Sequence, residues 1–301
     1  MRRYTLRRCP LLTRRVLVSG LFSAVGYACT GRMQTPGPFV AERLTGIHSR
    51  VGGRLGIHAL DTQTGRRIAY DDMSRYAMAS TFKLALAGAV LAQIDRGALR
   101  IDQNVAFGEN NIVSYSPVTS SYLPRGSMTV AQLCAAIVEV SDNTAANLLL
   151  TLVGGPSGLT QFMRTLGDRV TRLDRIETEL NTNFPGDARD TTSPRAMVGS
   201  MEQLLTGPAL TDVSRAKLIE WLVNSRTGLQ RIRAGLPSDW RAGDKTGTGA
   251  NGAANDIAVA WPPRRLPILI AIYMSESPLG TDELSAAHVE IAAAIAGDFT
   301  R

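Results

Sequence analysis

Ala79-Ser80-Thr81-Phe82-Lys83, continuing Leu84-Ala85-Leu86-Ala87-Gly88-Ala89-Val90-Leu91, sets a serine and a lysine three residues apart at the head of an apolar run. The run predicts a helix, and on a helix positions three apart share a face, so hydroxyl and ammonium would stand together. A serine hydroxyl is a weak nucleophile near neutral pH. It needs a base beside it, and donors for the oxyanion that its attack creates. A helix start supplies such donors through free N–H groups and the positive end of the dipole. The competing reading is an N-cap serine with an unrelated lysine one turn later.

Lysine usage favours chemistry. Of 33 basic residues only Lys83, Lys217 and Lys245 are lysines, and the other 30 are arginines. Lysine can lose its proton when desolvated and acts as a compact charge, and arginine offers neither property.

With 301 residues, 44% hydrophobic and 20% charged, the chain has the composition of an ordinary globular protein of one large or two smaller domains. The net charge of +7 suggests a polyanionic partner, but Arg2, Arg3, Arg7, Arg8, Arg14 and Arg15 precede residue 29, where no acid occurs. Without these six, 27 basic residues face 26 acidic ones. Nucleic acid is therefore set aside as a partner.

That basic start leads into Val16 to Ala28, apolar but too short to span a bilayer as a helix. Residues 1–29 read as an export signal, giving a periplasmic or secreted protein, with Arg14-Arg15 compatible with a twin-arginine signal. Cleavage after Ala28 would leave Cys29 as a site for lipid attachment, the one membrane contact in view. Residues 30–38, with Pro36 and Pro38, read as a linker. Beyond Cys9 and Cys29 only Cys134 remains, read as a buried, inert thiol.

Phe39 to Val51 reads as a helix, and Gly53 to Asp61 with Arg66 to Asp71 as a hairpin. Helices are expected at Lys83 to Asp95, Val130 to Val140, Thr144 to Leu152, Leu159 to Leu166, Arg195 to Leu205 and Asp212 to Val223. Strands follow at Trp240 to Gly247, Asp256 to Trp261 and Pro267 to Met274, then a closing helix at Glu283 to Ala296. The pattern predicts an α/β fold, a mainly antiparallel sheet built from both chain ends (39–72 and 224–301) with an inserted all-α domain (73–223). A cleft between the two is the natural place for a site.

Two further stretches carry polar chemistry. Ser141-Asp142-Asn143 stands before Thr144-Ala145-Ala146-Asn147 and reads most simply as an N-cap, although a second serine could relay a proton and an asparagine could bond an amide. Lys245-Thr246-Gly247 ends a strand. Gly247, Gly249 and Gly252 also fit the dinucleotide spacing G-x-G-x-x-G, but that motif must open a helix and here a strand follows, so nucleotide binding is rejected.

Together, Ser80-x-x-Lys83, Ser141-Asp142-Asn143 and Lys245-Thr246-Gly247 resemble the motif set of class A serine β-lactamases, which share their fold with penicillin-binding transpeptidases. The resemblance runs from about residue 40 to the C-terminus. Asp174-Arg175-Ile176-Glu177-Thr178-Glu179-Leu180-Asn181, continuing to Asp190, is similar to the family's Ω-shaped loop, with an Arg175 to Asp190 ion pair closing residues 175–190. Thr178 replaces the family's usual proline, whose bond to the glutamate is cis, so the departure leaves cis or trans open here; a retained cis bond from Glu177 to Thr178, held by the Arg175 to Asp190 closure, is the expectation. The family's helical disulfide is missing, since Ala87 lies where the partner of Cys134 would be.

The resemblance implies a hydrolase that opens the β-lactam ring of penicillins and related antibiotics. Ser80 would form an acyl-enzyme, and Glu177 with Asn181 would hold the water that clears it. Lys83 is one candidate for the acylation base and Glu177 acting through water the other. Ser141 would pass a proton to the lactam nitrogen, and Lys245 would hold that network. The N–H groups of Ser80 and Thr248 would form the oxyanion hole. Thr246, Gly247, Thr248 and Arg231 would meet the substrate carboxylate, Tyr115 would line the mouth, and Asn143 would bond the acylamide. Arg231 also fits a solvated basic turn with Arg226 and Arg233. No cofactor and no metal is implied, since His48, His58 and His288 sit in no ligand spacing. A small-molecule substrate and a monomer are expected. Two alternatives stand beside it: a penicillin-binding transpeptidase or carboxypeptidase, which shares the three motifs but lacks the loop glutamate and would accumulate adduct, and a β-lactam sensor, a binding module that normally needs a membrane-spanning segment.

Overall fold

The computed structural model describes residues 38–300. The expected export signal, the expected lipid site at Cys29 and all but the last residue of the expected linker lie outside the described residues. In chain order the elements are α1 (Pro38–Val51), β1 (Arg54–Asp61), β2 (Arg67–Tyr70), β3 (Tyr76–Ala77), α2 (Phe82–Asp95), β4 (Asn104–Ala106), α3 (Pro117–Tyr122), β5 (Ser127–Thr129), α4 (Val130–Glu139), α5 (Asn143–Leu152), α6 (Gly155–Thr165), β6 (Thr191–Thr192), α7 (Pro194–Leu205), α8 (Asp212–Val223), α9 (Ile232–Gly235), β7 (Arg241–Thr248), β8 (Ala254–Trp261), β9 (Ile268–Ser275) and α10 (Thr281–Phe299).

The main sheet has the order β2-β1-β9-β8-β7 and is antiparallel throughout. β1 pairs with β9 from Arg54↔Ser275 to Asp61↔Ile268, so both ends of the described chain build one layer. Alternation along β9 divides its side chains between two cores. Ile268, Ile270, Ile272 and Met274 join Leu44, Ile47, Ile291, Ile295 and other residues of α1 and α10. Leu269, Ala271 and Tyr273 face the helical part on the other side. All eight residues of β9 are buried, as expected of a strand covered on both faces.

α2 is the helix that the rest of the helical part surrounds. Phe82 to Ala92 are all buried, which explains why its sequence is apolar on every side rather than along one stripe. At Gly88 an added Cβ would stand 2.8 Å from Leu204 Cδ2, so this residue lets α7 pass close. Cys134 is a free, buried thiol on α4, and burial pushes it well above the usual thiol range. The predicted helices and strands all appear, with ends shifted by up to four residues. α3 and the short pairs β3–β6 and β4–β5 are additions that no periodic pattern announced. Among the described residues no helix is long and apolar enough to cross a membrane.

Candidate active site

Ser80 sits in a 3-10 turn, Ala79–Thr81, that runs directly into α2. The turn is fixed from the sheet side. Thr81 Oγ1 donates to Met78 O at 2.9 Å and lies 3.0 Å from the hydroxyl of Tyr273 on β9. Asn255 Nδ2 on β8 donates to Ala77 O at 2.9 Å and Met78 O at 3.1 Å. Gly247 lets β7 run against the same turn, because a Cβ there would stand 2.6 Å from Met78 O and 3.1 Å from Ser80 N. A side chain at that position would push the strand away from the serine.

Lys83, one turn into the helix, brings the motifs together. Its Nζ donates to Ser80 Oγ at 2.9 Å, Ser141 O at 2.9 Å, Ser141 Oγ at 3.3 Å and Asn143 Oδ1 at 2.5 Å. Lys245 Nζ reaches Ser141 Oγ from the other side at 3.1 Å and also donates to Thr246 O at 2.8 Å. Ser141 therefore lies between two ammonium groups, in a left-handed backbone with φ 64°. The N-cap reading of the triplet holds for its middle residue: Asp142 accepts from Ala145 N at 2.8 Å, while its other oxygen accepts from Val118 N and Thr119 N, each at 2.9 Å. Capping by Asp142 leaves Ser141 and Asn143 free to face the serine.

Glu177 arrives from a loop rather than a regular element. Asp190 closes the loop's neck: its carboxylate accepts from Asp174 N at 2.7 Å, Arg175 N at 2.9 Å and Arg175 Nε at 2.5 Å. The Glu177–Thr178 peptide is cis, so the family's geometry is kept although threonine replaces proline. Asn147 of α5 grips Glu177 on both sides of its backbone, accepting from Glu177 N and donating to Glu177 O, each at 2.9 Å. Glu177 Oε1 then stands 2.9 Å from Lys83 Nζ and accepts from Ser80 Oγ at 3.3 Å, while Oε2 accepts from Asn181 Nδ2 at 2.6 Å. Asn181 Oδ1 is buried without a protein partner.

Above these groups opens a cleft of ≈ 380 Å³ bordered by Ser80, Tyr115, Asn143, Asn181, Thr246 and Arg231 among others. Tyr115 stands at its mouth, 61% exposed. Arg231 lies beneath the β7 edge, its guanidinium donating to Asn255 O at 2.7 Å, Gly247 O at 3.3 Å and Thr248 Oγ1 at 2.9 Å. It is buried, so the reading as a solvated basic turn is set aside. Thr246 Oγ1 donates to Thr227 Oγ1 at 2.7 Å, and Thr227 also lines the cleft. Thr227 and Asn147 escaped the sequence reading. Asn147 stands in a stretch quoted only as a helix start, and Thr227 lies in a loop with no motif.

A sequence model of the β-lactamase enzyme family matches residues 39–299. The carbapenem-hydrolyzing β-lactamase KPC of Klebsiella oxytoca is 45% identical over 288 residues, 95% of this chain and 96% of the relative. The chain belongs to the class A β-lactamase family. β-Lactamase FAR-1 of Nocardia farcinica is 50% identical over 226 residues, 75% of this chain and 72% of the relative. Among solved structures, the class A β-lactamase of the last common ancestor of Gram-negative bacteria (GNCA4) matches with TM-score 0.85 and 52% identity, over 86% of this chain and 99% of that one.

Burial governs the charges in this β-lactamase cleft. Lys83 is held below the usual lysine range by desolvation, against the opposing pull of the Glu177 carboxylate. Lys245 is lowered to about 7, first by burial and then by the like charge of Lys83. Burial also lowers Arg231, opposed by Asp256 and Asp244. Two lysines with weakened hold on their protons therefore flank two serine hydroxyls, an arrangement suited to moving protons rather than anchoring a helix. Among the described residues no cluster of three or more His, Cys, Asp or Glu is placed to hold a metal ion.

Proposed function

We propose that the chain hydrolyses the β-lactam ring of penicillins and related antibiotics through a Ser80 acyl-enzyme. The observation that carries this reading is one carboxylate, that of Glu177, within reach of Ser80 Oγ, Lys83 Nζ and Asn181 Nδ2 together. In acylation Ser80 Oγ bonds to the lactam carbonyl carbon and gives its proton to Lys83. The N–H groups of Ser80 and Thr248 hold the oxyanion. The C–N bond then breaks, and the ring nitrogen takes its proton from Ser141, replenished by Lys83, while Lys245 keeps the relay in register. In deacylation a water gives a proton to Glu177 and adds to the ester carbon; the bond to Oγ then breaks, and Oγ takes that proton back from Glu177, restoring the serine and the carboxylate. The 3.3 Å contact between Ser80 and Glu177 favours a second route for the first proton, with Glu177 as base.

Thr246, Gly247, Thr248 and Arg231 are the proposed seat of the substrate carboxylate, with Asn143 on the acylamide, Asn181 beside Glu177 at the hydrolytic water and Tyr115 at the mouth. The cleft then lies between a sheet part, 39–72 with 224–301, and a helical part, 73–223. On this reading the protein is exported by the basic and apolar segment before Cys29, whose thiol is a lipid-attachment site, and it works as a monomer. Relatives include one named for carbapenem hydrolysis, so a carbapenem belongs in the assay beside a penicillin and a cephalosporin.

The decisive experiment is Glu177→Ala with benzylpenicillin, followed by intact-protein mass spectrometry and steady-state hydrolysis. We expect a persistent penicilloyl adduct and turnover lower by about 10²- to 10⁴-fold, the usual worth of a general base. Near wild-type turnover would refute the role of Glu177, and an adduct that persists on the unaltered enzyme would favour the transpeptidase alternative.

A further inference from the structure

The outer edge of the Ω-shaped loop is fastened by residues that the proposed reaction does not use. Asn183 in the loop and Asn251 in the β7–β8 turn both have left-handed backbones, with φ 45° and 50°. Each sends its amide into the other's turn. Asn183 Nδ2 donates to Ala250 O at 3.1 Å and Asn251 O at 3.0 Å. In return Asn251 Nδ2 donates to Asn183 O at 3.1 Å and Thr182 O at 3.3 Å. Ser275, at the end of β9, seals the pair: it accepts from Asn183 Nδ2 at 3.0 Å and donates to Asn183 Oδ1 at 3.1 Å. Asn183 and Ser275 are buried.

Asparagine suits both positions for two separate reasons. It tolerates the left-handed region better than other L-residues, and its short amide reaches neighbouring backbone carbonyls. Glycine would satisfy the first need and leave the second unmet. Immediately beside the pair, Ala250 N donates to Asn181 O at 2.9 Å, and this same Asn181 directs its side chain to Glu177 Oε2.

The loop thus has three fastenings. The Arg175–Asp190 pair holds its neck, Asn147 holds the Glu177 backbone, and the two asparagines hold its outer edge. The first two fix where Glu177 starts; of its carboxylate oxygens, Oε1 is held by Lys83 and Ser80 and Oε2 by Asn181, which hangs from the third. We infer that Asn183 and Asn251 form a reciprocal clasp that positions Asn181, and through it the Glu177 carboxylate, for deacylation. This rests on the deacylating role proposed for Glu177. The clasp's hydrogen bonds run to backbone groups and Ser275, not to Ser80, Lys83 or Ser141, so on the route in which Lys83 takes the serine proton acylation does not pass through it.

The test is Asn183→Gly, which keeps the backbone conformation accessible and removes only the amide. Acylation and deacylation rates are measured separately with benzylpenicillin by rapid quench and intact-protein mass spectrometry. Deacylation is expected to slow about tenfold or more while acylation stays unchanged, because small misplacements of a positioned group are costly. Asn251→Gly should do the same, and the double variant should fall by less than the product of the two, as parts of one unit do. The ratio of the two rates is independent of the folded fraction, so lost stability does not imitate the effect. Deacylation at the wild-type rate, or equal slowing of both steps, would overturn the clasp. Glu177→Gln is the control: if it traps adduct and Asn183→Gly does not, only the clasp falls, and if Glu177→Gln turns over normally, the clasp falls together with the role of Glu177.

Discussion

Ser80 and Lys83 stand at the start of a helix buried on every side, whereas Glu177 stands on a loop whose hold on the body is a set of side-chain hydrogen bonds. The first wall of the cleft is placed by close packing, through Gly247 against the serine turn and Gly88 against α7. The second is placed by Asp190, Asn147 and the Asn183–Asn251 clasp, any one of which can be deleted without touching the core. Packing is cooperative and fails as a whole, but polar fastenings fail one at a time. Ser80, the proposed nucleophile, is therefore the harder group to misplace and Glu177, the proposed general base, the easier.

The comparison can be broken from either side. Ser80→Ala removes the reacting atom from the packed wall, so hydrolysis of benzylpenicillin should fall roughly 10⁶-fold, as when other serine nucleophiles are deleted. No covalent adduct should appear by mass spectrometry, and one trapped elsewhere would move the nucleophile. On the loop side, Asp190→Ala strips an acceptor from two backbone N–H groups and from Arg175, whose side chain is only 15% exposed. Urea denaturation should register a loss of about 3 kcal/mol, the scale for breaking a buried pair. A midpoint equal to wild type would show that the neck is not held by this pair.

A third variant sharpens the packed wall. Below pH about 7 Lys245 is charged and buried in the native state, while the unfolded chain keeps its proton up to about 10.5. The unfolded state binds more protons across this window, so the group's destabilising contribution is complete below about 7 and is relieved as pH rises towards 10.5. Lys245→Met should therefore stabilise the fold at pH 6 by on the order of 2 kcal/mol, and the advantage should shrink by pH 10. A gap that widens with pH would contradict the assignment. At the bottom of the scale lies Lys217, half-buried on α8 and paired with Glu220 at 2.9 Å. Lys217→Ala should change thermal stability by less than about 0.5 kcal/mol and leave hydrolysis untouched.

Lys217 also shows how much composition alone conveyed. In a chain so poor in lysine, the two lysines within motifs are buried in the cleft, and the third is an ordinary surface residue. The strands were legible because the central ones are buried on both faces and appear as short apolar runs. The ion pair of Arg175 with Asp190 was legible because the resemblance named it. What stayed hidden were contacts between loops that only the finished fold brings together. Asn183 and Asn251 lie 68 residues apart and follow no periodicity, and Thr227 matters only because β7 passes over it. Left-handed backbones at Ser141, Asn183 and Asn251 left no trace either, since asparagine and serine occur in turns of every kind.

The pairing of β1 with β9 has a consequence for how the molecule is made. A ribosome delivers the nucleophile turn long before the strand that Asp61 must join at Ile268. Until then β1 has β2 as its one partner, and Ser80 lacks the strand whose Gly247 runs beside it. Non-local pairing of this kind makes sheet closure a late event. A nascent chain thus has no cleft to be acylated, and the proposed nucleophile acquires its surroundings only once β7, β8 and β9 have been translated.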